Sequence, residues 1–263
     1  MSESSWTVWS QNIISTLQDS VAAFLLSTEN RADALRAYIA EHPRAAFQNN
    51  PWALVAPIED FATTRSHMMI FRESKVKIAG AALEAMPVKP KVILEFGTYV
   101  GNSALAWGAI LQSLHGADAA AQGCRVYTFE IDPGMVRVAR EFIQLAGLDD
   151  LVHVLEGPAA DSLRRLYEEG KIARGGVDMV FFDHWEKYYL PDLLLCENLR
   201  VLREGSLVIA DNTDVPGAPQ FLKHVRSGGG GGLGMVRYES RAFESTTEIG
   251  VPNLVEISTV VET

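Results

Sequence analysis

Cysteine is scarce: the 263 residues include two, Cys124 and Cys196. Two thiols supply neither a disulfide framework nor the four-ligand spacing of a structural zinc site, so both are expected as reduced core residues. Positive charge is short as well. Lys and Arg total 23 against 33 Asp and Glu, a formal net charge of −10, and such a surface argues against general binding to nucleic acid or anionic membrane. No apolar run reaches the ~18 residues of a bilayer span. The opening MSESSWTVWSQ lacks the basic-then-apolar order of a secretory leader, so a cytoplasmic protein is expected. No fixed-period repeat is present, which excludes a solenoid. What remains, 48% apolar and 21% charged residues, is the composition of a folded globule.

Residues 8–41 carry apolar positions at helical spacing, including Ile13, Leu17, Val21 and Phe24, with RADALRAYIAEH following a turn at Glu29-Asn30. Pro51 and Pro57 punctuate the chain, and a helix is expected from about Glu73 to Ala85. From there β-branched apolar runs alternate with amphipathic segments of helical length. The runs are 91–96, 125–131, 151–155, 177–183 and 206–211; the helices between and after them are 101–114, 133–146, 158–169, 189–202 and 217–226. This alternation predicts an α/β fold, a doubly wound, mostly parallel sheet covered on both faces. Strand-like runs at 235–240 and 253–261 predict a C-terminal antiparallel hairpin at the sheet edge, seven strands in all. The glycine run 228–232 is expected as a flexible connector.

In an open α/β sheet, ligands sit beyond the carboxyl ends of the strands. That rule selects Gly97 to Gly101, Glu130, Asp183 to Lys187, and Asp211-Asn212. Gly97 and Gly101 permit a tight turn in the first βα loop. Their G-x-x-x-G spacing differs from the G-x-G-x-x-G of a pyrophosphate-binding loop, which weighs against a nicotinamide oxidoreductase. Glu130, ending the second strand, is suited to accept hydrogen bonds from both ribose hydroxyls. Together they point to a nucleoside ligand without pyrophosphate, such as S-adenosylmethionine. Asp183, Asp211 and Asn212 end neighbouring strands ~4.8 Å apart. Two carboxylates and an amide are hard oxygen ligands that suit Mg2+ and leave positions for a bidentate diol and water.

The segments LEFGTYVGNSA (94–104), FEIDP (129–133), DMVFFDHW (178–185), YLPDLLLCE (189–197) and ADNTDVPGAPQFLKHVR (210–226) resemble those of the catechol O-methyltransferase family, over roughly residues 50–260. The resemblance implies a Rossmann-like methyltransferase domain over 51–263 behind a helical extension at 1–50. It implies that Met69, Phe71, Glu95, Gly97, Tyr99 and Ser103 surround the methionine part of the cofactor, and that Glu130 and Ile131 meet its ribose and adenine side. His184 and Trp185 would lie near the adenine and sulfonium. Asp183, Asp211 and Asn212 would hold magnesium. Trp185, Asn212, Pro216 and Glu244 would line a small aromatic substrate, with Glu244 accepting a hydrogen bond from the hydroxyl that is not methylated.

The sequence departs from the family at several positions. The family's catalytic lysine directly follows the tryptophan of Asp-His-Trp; here Glu186 stands there and Lys187 follows, so either is a candidate base. Ile70 and Arg72 replace an amide and a glycine beside the cofactor. Ala159-Ala160 replace a polar pair near the adenine. Two readings follow: a Mg2+-dependent O-methyltransferase acting on a catechol or similar vicinal phenol, or a repurposed relative that binds a ligand in the same cleft without methyl transfer. A monomer, or a homodimer through the N-terminal helices, is expected.

Overall fold

The computed structural model describes residues 31–230, 236–246 and 252–263. The helical expectation over residues 8–30, and Gly231 and Gly232 of the glycine run, lie outside these residues. Residues 31–40 are helical (α1). The helices that follow are α2 (Pro51–Thr64), α3 (Glu73–Glu84), α4 (Asn102–His115), α5 (Pro133–Leu145), α6 (Ala159–Glu168), α7 (Tyr189–Asn198) and α8 (Pro219–Arg226). The strands are β1 (Val92–Phe96), β2 (Arg125–Glu130), β3 (Val152–Glu156), β4 (Val177–Phe182), β5 (Leu202–Ala210), β6 (Arg237–Thr246) and β7 (Pro252–Glu262).

The strands form one sheet in the order β3-β2-β1-β4-β5-β7-β6. The first five are parallel, as their near-continuous apolar runs require when both faces are covered. Every residue of β4 is buried. The C-terminal pair is antiparallel, but β7 inserts between β5 and β6, so β6 becomes the edge and points the same way as β5. Alternate residues of each strand feed two cores. Ile93, Met179, Phe181 and Ile209 pack with α2 to α5 on one face. Leu94, Phe96, Val180, Phe182 and Val208 pack with α6 to α8 on the other. Leu35 and Ile39 of α1, with Phe47, belong to the first of these cores.

Four expectations need correction. The prolines at 51 and 57 do not interrupt the chain but lie in α2. Pro51 opens it behind the Asn50 cap, whose side chain accepts from the Ala53 amide at 3.3 Å. Pro57 sits inside, where a proline costs about 3 kcal/mol of helix propensity; burial of Leu54, Val55, Ile58 and Phe61 offsets it. The helix expected to reach residue 202 ends at Asn198, because Arg200 adopts a left-handed conformation (φ 53°) and turns the chain into β5. The strand expected over 235–240 continues to Thr246. The glycines that begin the run are also more than a connector. Gly228 and Gly229 close α8 with bonds to the Val225 and His224 carbonyls, and a Cβ at Gly229 would lie 2.1 Å from the Val236 carbonyl oxygen.

Candidate active site

The sheet reverses its order of construction between β1 and β4, where a crevice opens at the carboxyl ends of an α/β sheet. The loops after these two strands are locked together. Gly97 (φ 100°) has no room for a side chain, since a Cβ would lie 2.5 Å from the Asp183 carbonyl oxygen. Its glycine is thus demanded by the neighbouring loop as well as by the turn. Gly101 (φ 88°) caps α4 and packs on Ala139 of α5. A narrow cleft of about 30 Å3 lies here, lined by residues 69–71, by 97–100, and by Asn102, Ser103 and Asp183.

Glu130 ties the crevice to β2. Its Oε2 accepts from the Tyr99 amide (2.7 Å) and its Oε1 from the Asp132 amide (2.9 Å). Burial raises its pKa against the pull of these amides. Glu95, wholly buried, accepts from Trp107 Nε1 at 2.8 Å. Burial pushes its carboxyl up to about 7, opposed by the nearby Thr128, Ser103 and Trp107 donors. Those two hydroxyls lower the pKa, yet neither closes a bond to Oε2, which has no partner among the described residues. Asn102 donates to the Phe71 carbonyl at 3.0 Å and leaves its own buried Oδ1 unpartnered. Buried acceptors without donors are rare; two of them beside one cleft fit a ligand carrying N–H groups.

Beyond β4, His184 stacks on Phe182, Tyr188 and Tyr189. Its Nε2 meets Asp192 Oδ2 at 2.8 Å, and its buried Nδ1 has no partner among the described residues. Trp185 is 60% exposed. Lys187 Nζ lies 4.7 Å from its ring centre and 4.8 Å from that of Tyr188, a cation–π contact on the outside of the loop. The charge of Glu186 instead bears on Asp183 and on the buried Tyr189 hydroxyl.

Asp183, Asp211 and Asn212 converge as strand ends should. The Asn212 amide lies 3.5 Å from Asp183 Oδ1. Burial, then the adjacent Asp211 charge, hold the Asp183 carboxyl well above the ordinary carboxylate range, and burial also raises Asp211. One cation is bonded here: Lys75 Nζ donates to both Asp211 oxygens, at 2.8 and 2.7 Å. With both carboxyls ionised, two negative charges stand against one ammonium, and the hard oxygen set matches magnesium. Among the described residues no group of three His, Cys, Asp or Glu is arranged to hold a metal, so a metal here depends on Asn212 as third ligand.

Comparison with known proteins gives this geometry a family. Residues 94–213 match a methyltransferase domain model. The catechol O-methyltransferase of Bos taurus is 31% identical over 241 residues, 92% of this chain and 78% of that one. The chain belongs to the catechol O-methyltransferase family. It is accordingly an O-methyltransferase that uses S-adenosylmethionine. Catechol O-methyltransferase B of Danio rerio is 30% identical over 84% of this chain and 75% of its own. In fold, an O-methyltransferase from Bacillus cereus solved with S-adenosylhomocysteine superposes with a TM-score of 0.60, covering 86% of this chain and 97% of that one at 21% identity.

In this O-methyltransferase the expected cofactor residues are spread unevenly around the crevice. Gly97, Tyr99 and Ser103 line it and Glu130 bonds to the Tyr99 amide, whereas Glu95 is bonded to Trp107 and His184 to Asp192, neither of them on the cleft wall. Phe71 lies deeper: its ring is buried against Trp107 and Phe181 (centroids 5.8 and 4.6 Å), so its side chain supports the floor. Met69 and Ile131 are 61% and 70% exposed at the rim, where Trp185 and Pro216 also stand. Glu244 is exposed on β6, opposite Leu254 of β7. Arg72, which replaces a glycine, turns away from the cleft to bond Thr63 Oγ1 at 2.7 Å. Ala159 and Ala160 open α6.

The residues that sequence reasoning missed are Lys75, Asn102, Asp192 and Asn253. Asn253 donates to Asn212 Oδ1 at 3.3 Å across from β7. Lys75 did carry a signal: it falls on the stripe with Val76, Ala79, Gly80 and Leu83 that α3 buries, where a lysine is rare unless paired.

Proposed function

We propose that this enzyme transfers the methyl group of S-adenosylmethionine to one hydroxyl of a catechol or similar vicinal-diol phenol, with Asp183, Asp211 and Asn212 holding a magnesium ion. The observation that carries this reading is the pair of mutually repelling carboxylates at the ends of β4 and β5, Asp211 buried and Asp183 half-buried on the cleft wall, with Lys75 bonded to Asp211. Ionised together, the two would leave one charge that Lys75 does not balance, and a further cation would hold both in that form. When bound, magnesium supplies Lewis acidity and a template for the diol, lowering the pKa of the hydroxyl that reacts.

The chain's own groups do the rest. Glu130 is positioned for the ribose hydroxyls. Unpartnered Glu95 Oε2 and Asn102 Oδ1 are suited to an ammonium group, and His184 Nδ1 to the adenine side. Trp185, Val215 and Pro216 present exposed apolar surface that fits the flat ring, and Glu244 is the acceptor for the second hydroxyl. Glu186 is the base: its charge reaches Asp183, whereas Lys187 is engaged with two aromatic rings. With the proton taken by Glu186, the phenolate oxygen bonds to the methyl carbon as the carbon–sulfur bond breaks and its electron pair returns to sulfur. The products are an aryl methyl ether and S-adenosylhomocysteine. Because opposite charges cancel in this step, exclusion of water and alignment at about 3 Å supply much of the rate.

Purified protein incubated with methyl-labelled S-adenosylmethionine and a panel of catechols, with and without a chelator, tests the proposal. Labelled ether that appears with Mg2+ and disappears with the chelator is expected. Absence of product on every diol removes the catechol assignment; product unaffected by the chelator removes the metal.

A further inference from the structure

Lys75 is the third residue of α3, a position from which a lysine ordinarily extends into water. Its neighbour Lys77 does so, pairing with Glu73 at 72% side-chain exposure, while the Lys75 side chain is 7% exposed. Its ammonium is committed to one group, donating to both oxygens of Asp211, with the Phe71 ring 6.0 Å away on another side. The Asp211 backbone is fixed without it. The Asp211 amide donates to the Phe182 carbonyl at 3.0 Å, and the Tyr189 hydroxyl donates to the Asp211 carbonyl at 3.2 Å. What Lys75 fixes is therefore the direction of the carboxylate, and it does so by covering both oxygens that a metal would use.

We infer that Lys75 is a built-in counter-cation of the active site, a positioning residue that orients Asp211 in the metal-free enzyme and competes with the divalent ion for it. The inference rests on the metal reading proposed above. A carboxylate has about four lone-pair positions, so an ion taking one oxygen must share or displace a Lys75 bond. The charge arithmetic has the same sign. Counted with both carboxyls ionised, the form that ligates a metal, Asp183, Asp211 and Lys75 sum to −1 and become +1 with Mg2+, whereas without Lys75 the two carboxylates go from −2 to neutral. Lys75 thus stabilises the empty site and weakens ion binding, so that loading with metal is reversible instead of structural.

Calorimetric titration with Mg2+ and thermal unfolding with and without Mg2+ test this on the wild type, Lys75→Met and Lys75→Arg. Lys75→Met is expected to bind Mg2+ at least tenfold more tightly, to melt lower without the ion, and to gain more in Tm from it. Lys75→Arg, which keeps the cation, should stay near the wild type. Measurable wild-type binding at least as tight as that of Lys75→Met overturns the inference and leaves the metal reading intact. Binding by neither protein overturns both. Binding by Lys75→Met alone upholds the inference and removes the ion from the native reaction. If Lys75→Met does not fold, the ammonium proton–nitrogen signal of Lys75 in the wild type, assigned by its absence from Lys75→Arg, decides. It should move as Mg2+ is added, and a signal unmoved at saturating ion overturns the inference.

Discussion

At the residue scale, the two adjacent side chains Glu186 and Lys187 differ in what they face. Both follow Trp185 in a single helical turn at 186–188. The Glu186 charge bears weakly on the Asp183 carboxyl, behind burial and the charges of Asp211, Lys75 and Glu95, while Lys187 lies across the rings of Trp185 and Tyr188. A general base contributes roughly 100- to 10,000-fold to rate, so Glu186→Gln is expected to lower kcat by about 100-fold or more while leaving cofactor affinity nearly intact. Lys187→Met should alter KM more than kcat, through the aromatic rim. Steady-state kinetics on the two variants decides, and the opposite pattern returns the role to Lys187. The sequence left this choice open because a one-residue offset at a strand end is resolved by the turn that follows, not by spacing.

At the scale of single elements, the loops around the crevice are held by helix ends. Asp132 caps α5 by accepting from the Gly134 and Met135 amides at 2.7 and 3.2 Å, with Pro133 at the first helical position. The Asp-Pro pair made this helix start legible in the sequence. Asp132→Ala is expected to cost about 1 kcal/mol, read as a lower urea midpoint with unchanged slope. Its backbone amide, which holds Glu130, is retained, so cofactor binding should fall little. A larger loss of binding than of stability would mean that the cap also shapes the ribose subsite. Helix α2 was less legible. Its two prolines read locally as breaks, and only the burial of its apolar side chains in the core with α4 made a helix the better outcome.

At the scale of the molecule, the fold gathers acids that prefer to be neutral. Burial raises Glu59, Glu95, Glu130, Asp183 and Asp211 alike. For an acid whose folded pKa lies above its unfolded value, the stabilisation is complete below the unfolded pKa and is lost as pH rises through the folded one. For Glu95 this window runs from the ordinary 4.5 to about 7, a loss of about 3 kcal/mol at 1.4 kcal/mol per unit. The Tm of the ligand-free protein is therefore expected to fall between pH 5 and 8. Glu95→Gln should flatten part of that fall by removing the ionisable group. A Tm that rises over this range, or a profile identical in Glu95→Gln, contradicts the account.

The sequence alone determined the alternation of strand and helix, the strand ends at which chemistry gathers and the acids at those ends, because periodicity and turn residues are local and the position of ligands in a parallel sheet follows from its topology. Tertiary structure decided which way side chains of equal promise face. It buried Lys75 on Asp211, turned Arg72 back onto α2, inserted β7 between β5 and β6, and carried Asn253 to Asn212. Each of these joins residues far apart in the chain through the packing of whole elements, and such contacts leave no mark in spacing.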